Sequence, residues 1–228
     1  MHELLPQINQ LREQVTNLER ALEASSVDSI GEPLGSCRMF GAQLSDLVSR
    51  EGVVVPEIVR ASIAFLSSED YLTQVGIFRL SGSACDVESL QISMDHSGNV
   101  DLSCVKDPHV VTCLLKSFCR SLREPLIPFD LFEDALEAVT YESAQICCAF
   151  LHKLINHDMP KPNLYSLTVL LAHMARIAKR HEVNKMTISN LAAVLAPNLL
   201  YPKDQTDHMK VIRKCLSNSH FNFIEVRA

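Results

Sequence analysis

The chain has 228 residues, a formal net charge of −6 and an apolar fraction of 47%. This length and composition suit one large globular domain with a small appendage. The negative charge balance argues against nucleic acid or anionic lipid as a partner, and no apolar run approaches the ~18 residues that a membrane span requires.

Eight cysteines are distributed along the chain without any Cys-x-x-Cys pair. The first residues do not resemble a signal peptide, so we expect reduced thiols in a cytoplasmic protein. Any recruitment to membrane or cytoskeleton is assigned to regions outside this chain. Neither a glycine-rich phosphate loop nor a His-Glu-x-x-His motif occurs, and we therefore expect no metal site and no cofactor.

An N-terminal helix with a narrow apolar stripe is predicted for residues 1–24. Within residues 4–22 the apolar spacing alternates between four and three, through Leu4, Ile8, Leu11, Val15, Leu18 and Leu22. This heptad pattern predicts a short coiled-coil-like helix that self-associates, with docking onto its own domain as the alternative. Residues 25–36, SSVDSIGEPLGS, are interpreted as a linker to a domain over residues 37–228.

Helical patterns dominate after the linker, and they predict an all-α fold. Asp107 is interpreted as an N-cap with Pro108 in the first turn, Thr187 as a cap of the helix that follows it, and Pro197 as a helix stop. The predicted helices cover residues 56–68, 107–122, 132–156 (as one or two helices), 163–181, 187–197 and 208–218.

The heptapeptide GIFRLSG, residues 76–82, places one charged residue, Arg79, between two of the chain's 7 glycines. Gly76 and Gly82 permit tight backbone conformations, and the apolar neighbours are expected to anchor the loop while Arg79 points outward. These neighbours are Ile77, Phe78 and Leu80. An outward arginine on an anchored loop is either a salt-bridge partner or a group that enters the active site of another protein.

Two cations lie one turn apart on the helix predicted at 107–122. The apolar face of that helix comprises Val111, Leu115, Phe118 and Leu122. Lys116 and Arg120 lie roughly opposite this face, where they form either a solvated basic surface or a paired site for an anion or acidic partner. Further along, Asn198 follows Pro197 and is expected to present its amide at a helix end; the alternative is an ordinary Asx-type stop.

Three segments taken together resemble a RhoGAP domain, the module that activates GTP hydrolysis by Rho-family small GTPases. They are GIFRLSGS (76–83), LLKSFCRSLREPLIP (114–128) and NKMTISNLAAVLAPNLL (184–200), in the order of that family. The resemblance spans roughly residues 38–220. It implies a single helical domain that regulates an enzyme without being one, and whose partner is a GTP-bound Rho-family GTPase.

The resemblance also implies a role for the arginine loop. Arg79 matches the arginine finger of the family, a guanidinium supplied in trans to the nucleotide site of the GTPase. Gly76 and Gly82 then support a loop that must approach another protein closely.

Further residues match other positions of the family motifs. The resemblance implies that Lys116 and Arg120 support the finger loop and contact the GTPase, and that Asn198 contacts the GTPase beside its switch region. Asn190 and Pro125 match positions with a more structural role.

Two departures from the family pattern lie at or just beyond the end of the helix that carries Lys116 and Arg120. Ser121 stands where the family often has an acidic residue and Arg123 where it often has a proline, so we expect a less rigid loop there. The segment 93–106 also diverges and is expected to affect partner choice.

Two other functions compete with a catalytic activator. A scaffold of the same fold would bind a small GTPase or another signalling partner without accelerating hydrolysis, but it would have no need of Arg79. A stand-alone hydrolase lacks support, because no phosphate-binding or catalytic metal motif is present.

Overall fold

The computed structural model describes residues 38–138, 144–154 and 158–203, and in these ranges it is helical without any β-strand. The helices are α1 (Leu44–Glu51), α2 (Glu57–Phe65), α3 (Glu69–Leu72), α4 (Ala84–Ser97), α5 (Pro108–Ser121), α6 (Phe132–Ala138), α7 (Ala144–Lys153), α8 (Lys161–Ala178), α9 (His181–Asn184) and α10 (Ile188–Leu199), with a 3-10 turn at Phe129–Leu131. The all-α prediction is confirmed. The helices predicted at 1–24 and 208–218, and the linker at 25–36, lie outside the described residues.

Side-chain caps explain where several helices begin. The Asp107 carboxylate accepts a hydrogen bond from the backbone nitrogen of His109 at 2.8 Å, and Pro108 occupies the first position of α5. Thr187 accepts one from the Asn190 nitrogen at the start of α10. Each cap satisfies one of the backbone N–H groups that a helix start leaves without a partner, so these boundaries agree with the sequence prediction.

Helix α5 lies at the centre of the domain and packs against α2, α4 and α10. The four residues predicted to form its apolar face, Val111, Leu115, Phe118 and Leu122, are all buried. Helix α8 packs against α1, α2 and α10. The segment between α3 and α4, which carries the arginine loop, contacts α5 through Lys116 and α8 through His173.

Helix α4 was not predicted from the sequence. It buries only Met94 fully and leaves most of its surface in solvent, so its apolar periodicity is weak. Two local signals mark its ends: Ser83 accepts a hydrogen bond from the Asp86 nitrogen, and Gly98 takes a left-handed conformation with φ 72°. Such a serine cap and C-terminal glycine bracket a helix independently of its apolar pattern.

The predicted stop at Pro197 is wrong, because α10 continues to Leu199 with Pro197 inside it. An internal proline costs ~3 kcal/mol through its missing N–H and its ring. Leu195 and Leu199, on either side of it, are both 4% exposed. Burial of one leucine contributes ~1.5–3 kcal/mol, so packing of this last turn against the core offsets the proline.

Candidate functional site

The backbone of the arginine loop adopts two left-handed conformations. Gly76 has φ 69° and Phe78 has φ 67°. For a bulky residue such as Phe78 this conformation costs on the order of 1–3 kcal/mol, and it persists only where the surroundings impose it. The residue immediately before Arg79 is therefore held in a strained geometry that sets the direction of the loop.

The two glycines of the loop meet different requirements. A Cβ atom at Gly76 would combine the left-handed φ with a contact of 2.7 Å to the Leu80 Cγ. At Gly82 the φ is ordinary, but a Cβ would lie 2.7 Å from the His109 carbonyl carbon and closer still to the Val110 nitrogen. Gly76 thus permits the turn, whereas Gly82 permits the chain to touch the first turn of α5.

Arg79 is exposed, and in the described part of the chain its guanidinium has no hydrogen bond or ion pair. The salt-bridge interpretation therefore has no support there. Ile77 and Phe78 anchor the loop as expected, with 1% and 0% exposure. Leu80 does not, because it is 47% exposed and lies over Gly76 on the outer side of the loop.

Lys116 is half-buried and reaches the strained part of the loop. Its Nζ donates a hydrogen bond of 2.6 Å to the carbonyl oxygen of Phe78. Burial lowers the pKa of the Lys116 ammonium, and the charge of Arg120 acts in the same direction. The ammonium thus holds the backbone directly before Arg79 in place by a charge-assisted hydrogen bond.

Arg120, one turn further along α5, is exposed, and its guanidinium has no partner among the residues the structure describes. The backbone around it is fixed instead. The Tyr201 hydroxyl donates to the carbonyl oxygens of Arg120 and Leu122 at 3.4 and 3.0 Å. The predicted pair therefore separates into an internal lysine and an outward arginine.

Asn198 is not at an open helix end. It lies in the last turn of α10 with 8% exposure, and its Nδ2 donates to the Val194 carbonyl at 2.8 Å. The burial and the hydrogen bond of this amide follow from the continuation of α10 beyond Pro197, because Asn198 lies inside the helix and not after its end. The two structural positions behave differently from each other: Asn190 is exposed and donates from Nδ2 to the Lys185 carbonyl at 3.2 Å, whereas Pro125 is buried.

Two buried polar residues beneath the loop were missed by the sequence analysis. The His173 ring is 1% exposed, and its centroid lies 6.4 Å from that of Phe78. Burial, and to a smaller degree Arg176, lower the pKa of His173 to about 4, so the ring is neutral at neutral pH. Asn184 is 0% exposed, and its backbone carbonyl accepts a hydrogen bond of 2.8 Å from the Gly76 nitrogen.

Ser121, the last residue of α5, and Arg123, which follows that helix, both contact the segment at Gly41–Ala42. The Ser121 hydroxyl accepts from the Gly41 nitrogen at 3.3 Å. The Arg123 backbone nitrogen donates to the Ala42 carbonyl and its Nε to the Gly41 carbonyl, both at 3.1 Å. A proline at 123 has neither the backbone N–H nor the Nε donor, so the arginine replaces the rigidity of a ring with two hydrogen bonds to a neighbouring segment.

Among the described residues, the site presents two guanidinium groups without a partner, those of Arg79 and Arg120, and Arg79 lies on a loop that is held internally at several points. Such a group can stabilise negative charge that a partner brings to it, and its fork of donors suits phosphoryl oxygens. No cluster of His, Cys, Asp and Glu in the described ranges has the arrangement of a metal site. Among the described helices, none has the length and apolarity to cross a membrane.

A family model for the RhoGAP domain matches residues 56–204. The Rho GTPase-activating protein gacR of Dictyostelium discoideum is 34% identical over 178 residues, which are 76% of this chain and 23% of that protein. Human Rho GTPase-activating protein 12 is 35% identical over 176 residues, or 76% of this chain and 20% of that protein. The chain spans about a fifth of the length of these curated relatives.

Two solved structures share the helical architecture. The crystal structure of human Rho GTPase activating protein 15 superposes with a TM-score of 0.70 at 28% identity, covering 82% of this chain and 92% of that one. The BH domain from GRAF, the GTPase regulator associated with focal adhesion kinase, superposes with a TM-score of 0.60 at 25% identity. That match covers 72% of this chain and 93% of the GRAF domain.

Proposed function

The chain belongs to the RhoGAP family, and from that premise we propose that it stimulates GTP hydrolysis by a Rho-family small GTPase through Arg79, inserted in trans as an arginine finger. The observation that carries this proposal is the exposed Arg79 guanidinium, which has no partner within the described residues, on a loop whose backbone is constrained. No other described residue engages this guanidinium, so it is available to an anion on another protein.

The chemistry explains why an arginine is useful at this position. During GTP hydrolysis negative charge spreads over the oxygens of the transferred phosphoryl group, and a small GTPase alone supplies too few cations to stabilise it. A guanidinium brought by a partner increases the rate by ~10³–10⁵, equivalent to about 4–7 kcal/mol of barrier. Because the loop is already ordered, little conformational entropy is lost when it inserts.

Of the remaining site residues, one supports the finger loop and two bind the GTPase. Lys116 supports the finger loop through the Phe78 carbonyl. Arg120 is the exposed cation of the pair and contacts the GTPase directly. Asn198 contacts the GTPase through the part of its amide that Val194 does not use, and its 8% exposure requires a close approach of the partner to the end of α10.

The test compares Arg79→Ala and Arg79→Lys with the unchanged chain in a phosphate-release assay, on a panel of purified, GTP-loaded Rho-family GTPases. We expect Arg79→Ala to lose nearly all stimulation while its affinity for the GTPase loaded with GTPγS stays close to that of the unchanged chain. Arg79→Lys should recover little, because an ammonium lacks the planar fork of donors. Arg60→Ala, which removes another exposed arginine, is the matched control and should retain full stimulation.

Retention of stimulation by Arg79→Ala would contradict the finger assignment. Binding to the loaded GTPase without any stimulation by the unchanged chain would favour the scaffold alternative.

A further inference from the structure

Asn184 joins three backbone segments through its side chain. Its Nδ2 donates to the carbonyl oxygens of Leu72 and Ile177, and its Oδ1 accepts from the Met186 nitrogen, each at 2.8 Å. These segments are the end of α3, the end of α8 and the approach to α10. With 0% exposure, the amide has no contact with solvent, so its two donors and its acceptor are all used inside the protein.

Only an amide of this length meets all three requirements. An aspartate would retain the acceptor but lose both donors, and leucine would lose all three bonds. A buried carbonyl or N–H left without a partner costs about 1–3 kcal/mol, so the surrounding backbone would move to find one. Asn184 therefore fixes its own position relative to α3 and α8.

The main chain of Asn184 connects this junction to the arginine loop. Its carbonyl accepts from the Gly76 nitrogen at 2.8 Å, and the Gly76 carbonyl in turn accepts from the Arg79 nitrogen at 2.9 Å. Two successive hydrogen bonds therefore link Asn184 to the backbone of Arg79. Lys116 holds the Phe78 carbonyl independently.

We propose that Asn184 is a positioning residue for Arg79: it holds the Gly76 end of the loop so that the guanidinium meets the phosphoryl group of the partner in the correct place. This inference rests on the proposed function. Asn184 is buried and does not touch the GTPase. Its loss should therefore lower the rate at saturation and leave affinity nearly unchanged, because a misplacement of about 1 Å can cost as much as ~100-fold in rate.

The experiment uses Asn184→Asp and Asn184→Ser in the full chain, with the GTPase that the unchanged chain stimulates most in the panel. Stimulated hydrolysis is measured against chain concentration, which separates the maximal rate from the half-saturating concentration. We expect the maximal rate to fall ~10- to 100-fold, with the half-saturating concentration altered by less than ~3-fold.

Asn163→Asp is the matched control. Asn163 is also a buried asparagine, with 7% exposure, and its Nδ2 donates to the Leu126 carbonyl at 3.0 Å; within the described residues, no hydrogen bond joins it to residues 76–82. Thermal unfolding is recorded for every variant. The control should lose stability comparably and keep its maximal rate.

The affinity for the GTPase loaded with GTPγS separates positioning from a general structural role. If Asn184 acts only on the placement of Arg79, Asn184→Asp should change this affinity by less than ~3-fold while the maximal rate falls. A loss of affinity as large as the loss of maximal rate would overturn the inference. So would an unchanged maximal rate for both Asn184 variants, or failure of both to fold. Stimulation that persists in Arg79→Ala alone contradicts the proposed function instead.

Discussion

Single residues in the arginine loop combine a strained backbone with compensating contacts. Phe78 adopts a left-handed φ of 67°. Its ring is fully buried, and its carbonyl oxygen accepts a hydrogen bond from the Lys116 ammonium. Burial of an aromatic side chain contributes ~1.5–3 kcal/mol, enough to offset the strain of one such residue. The loop is therefore ordered before any partner binds, and its one exposed charge is Arg79.

The buried His173 ring predicts a specific pH dependence of stability. Its pKa is about 4 in the folded chain, against 6.5 for an ordinary histidine. Below pH 6.5 the unfolded chain takes up a proton that the folded chain takes up only near pH 4. The contribution of this residue to the free energy of unfolding is thus fully present above pH 6.5. It declines by up to about 3 kcal/mol as the pH falls towards 4.

Urea unfolding of the unchanged chain and of His173→Phe at several pH values tests this prediction. Phenylalanine keeps a ring against Phe78 but cannot titrate, so the decline in the free energy of unfolding between pH 6.5 and 4 should be smaller in the variant. His96→Gln removes an exposed histidine and serves as the control. Parallel pH profiles for the unchanged chain and His173→Phe would contradict the prediction.

At the scale of the elements, the segment at residues 39–43 makes hydrogen bonds and a ring contact with α4, α5 and the loop that follows α5. Asp95, in α4, accepts from the backbone nitrogens of Met39 and Phe40 at 2.6 and 3.1 Å. The Phe40 ring meets Phe118 edge-on at 6.0 Å. With the bonds from Arg123 to Gly41 and Ala42, this segment ties α4, α5 and the following loop together.

Arg123→Pro should therefore destabilise the chain, even though it restores the residue type that the family often has. It removes the N–H that donates to the Ala42 carbonyl as well as the Nε bond to Gly41. The lost bonds cost about 1–3 kcal/mol, and the stiffer unfolded chain returns only about 0.4–1 kcal/mol. Urea unfolding should show a net loss of about 1–2 kcal/mol.

Arg123→Ala is the control for this substitution, because it removes the side-chain bond and keeps the backbone N–H. It should lose less stability than Arg123→Pro. Equal stability of the proline variant and the unchanged chain would show that the contact with Ala42 contributes nothing.

At the scale of the whole molecule, the remaining prediction concerns self-association through the N-terminal segment. Residues 4–22 lie outside the described residues, and their self-association stays a prediction from the heptad spacing. Because about 20 residues is near the minimum for an isolated helix, any dimer should be weak and dependent on concentration. Stimulation of the GTPase should not need this segment, since Arg79, Lys116, Arg120 and Asn198 all lie elsewhere.

Light scattering over a wide concentration range tests self-association, with Leu11→Asp and Leu18→Asp as variants that break the apolar stripe. The mass should rise with concentration in the unchanged chain and stay at the monomer value in both variants. A chain truncated to residues 36–228 should be monomeric and keep its stimulation. A monomer at every concentration, unaffected by either substitution, would favour docking onto the domain.

Features that depend on local chemistry could be predicted from the amino-acid sequence. The caps at Asp107 and Thr187 involve groups two or three residues apart. The apolar face of α5 follows from helical spacing. The motif order indicated the family, and the family model confirms it over residues 56–204. Gly76 likewise marked the constrained turn before Arg79, because its left-handed φ of 69° is a conformation that glycine adopts without strain; Gly82, in contrast, is required by the contact with α5.

Features that depend on contacts between distant segments became visible only in the folded chain. Three such features involve residues far apart in the chain, and no local pattern predicts them. They are the left-handed backbone of Phe78, the junction at Asn184 and the attachment of Arg123 to Ala42. The same reason accounts for the wrong stop at Pro197, where burial of the final turn offset a local penalty of ~3 kcal/mol. Local signals set the preference of a segment, but packing free energies of similar size decide it where the two conflict.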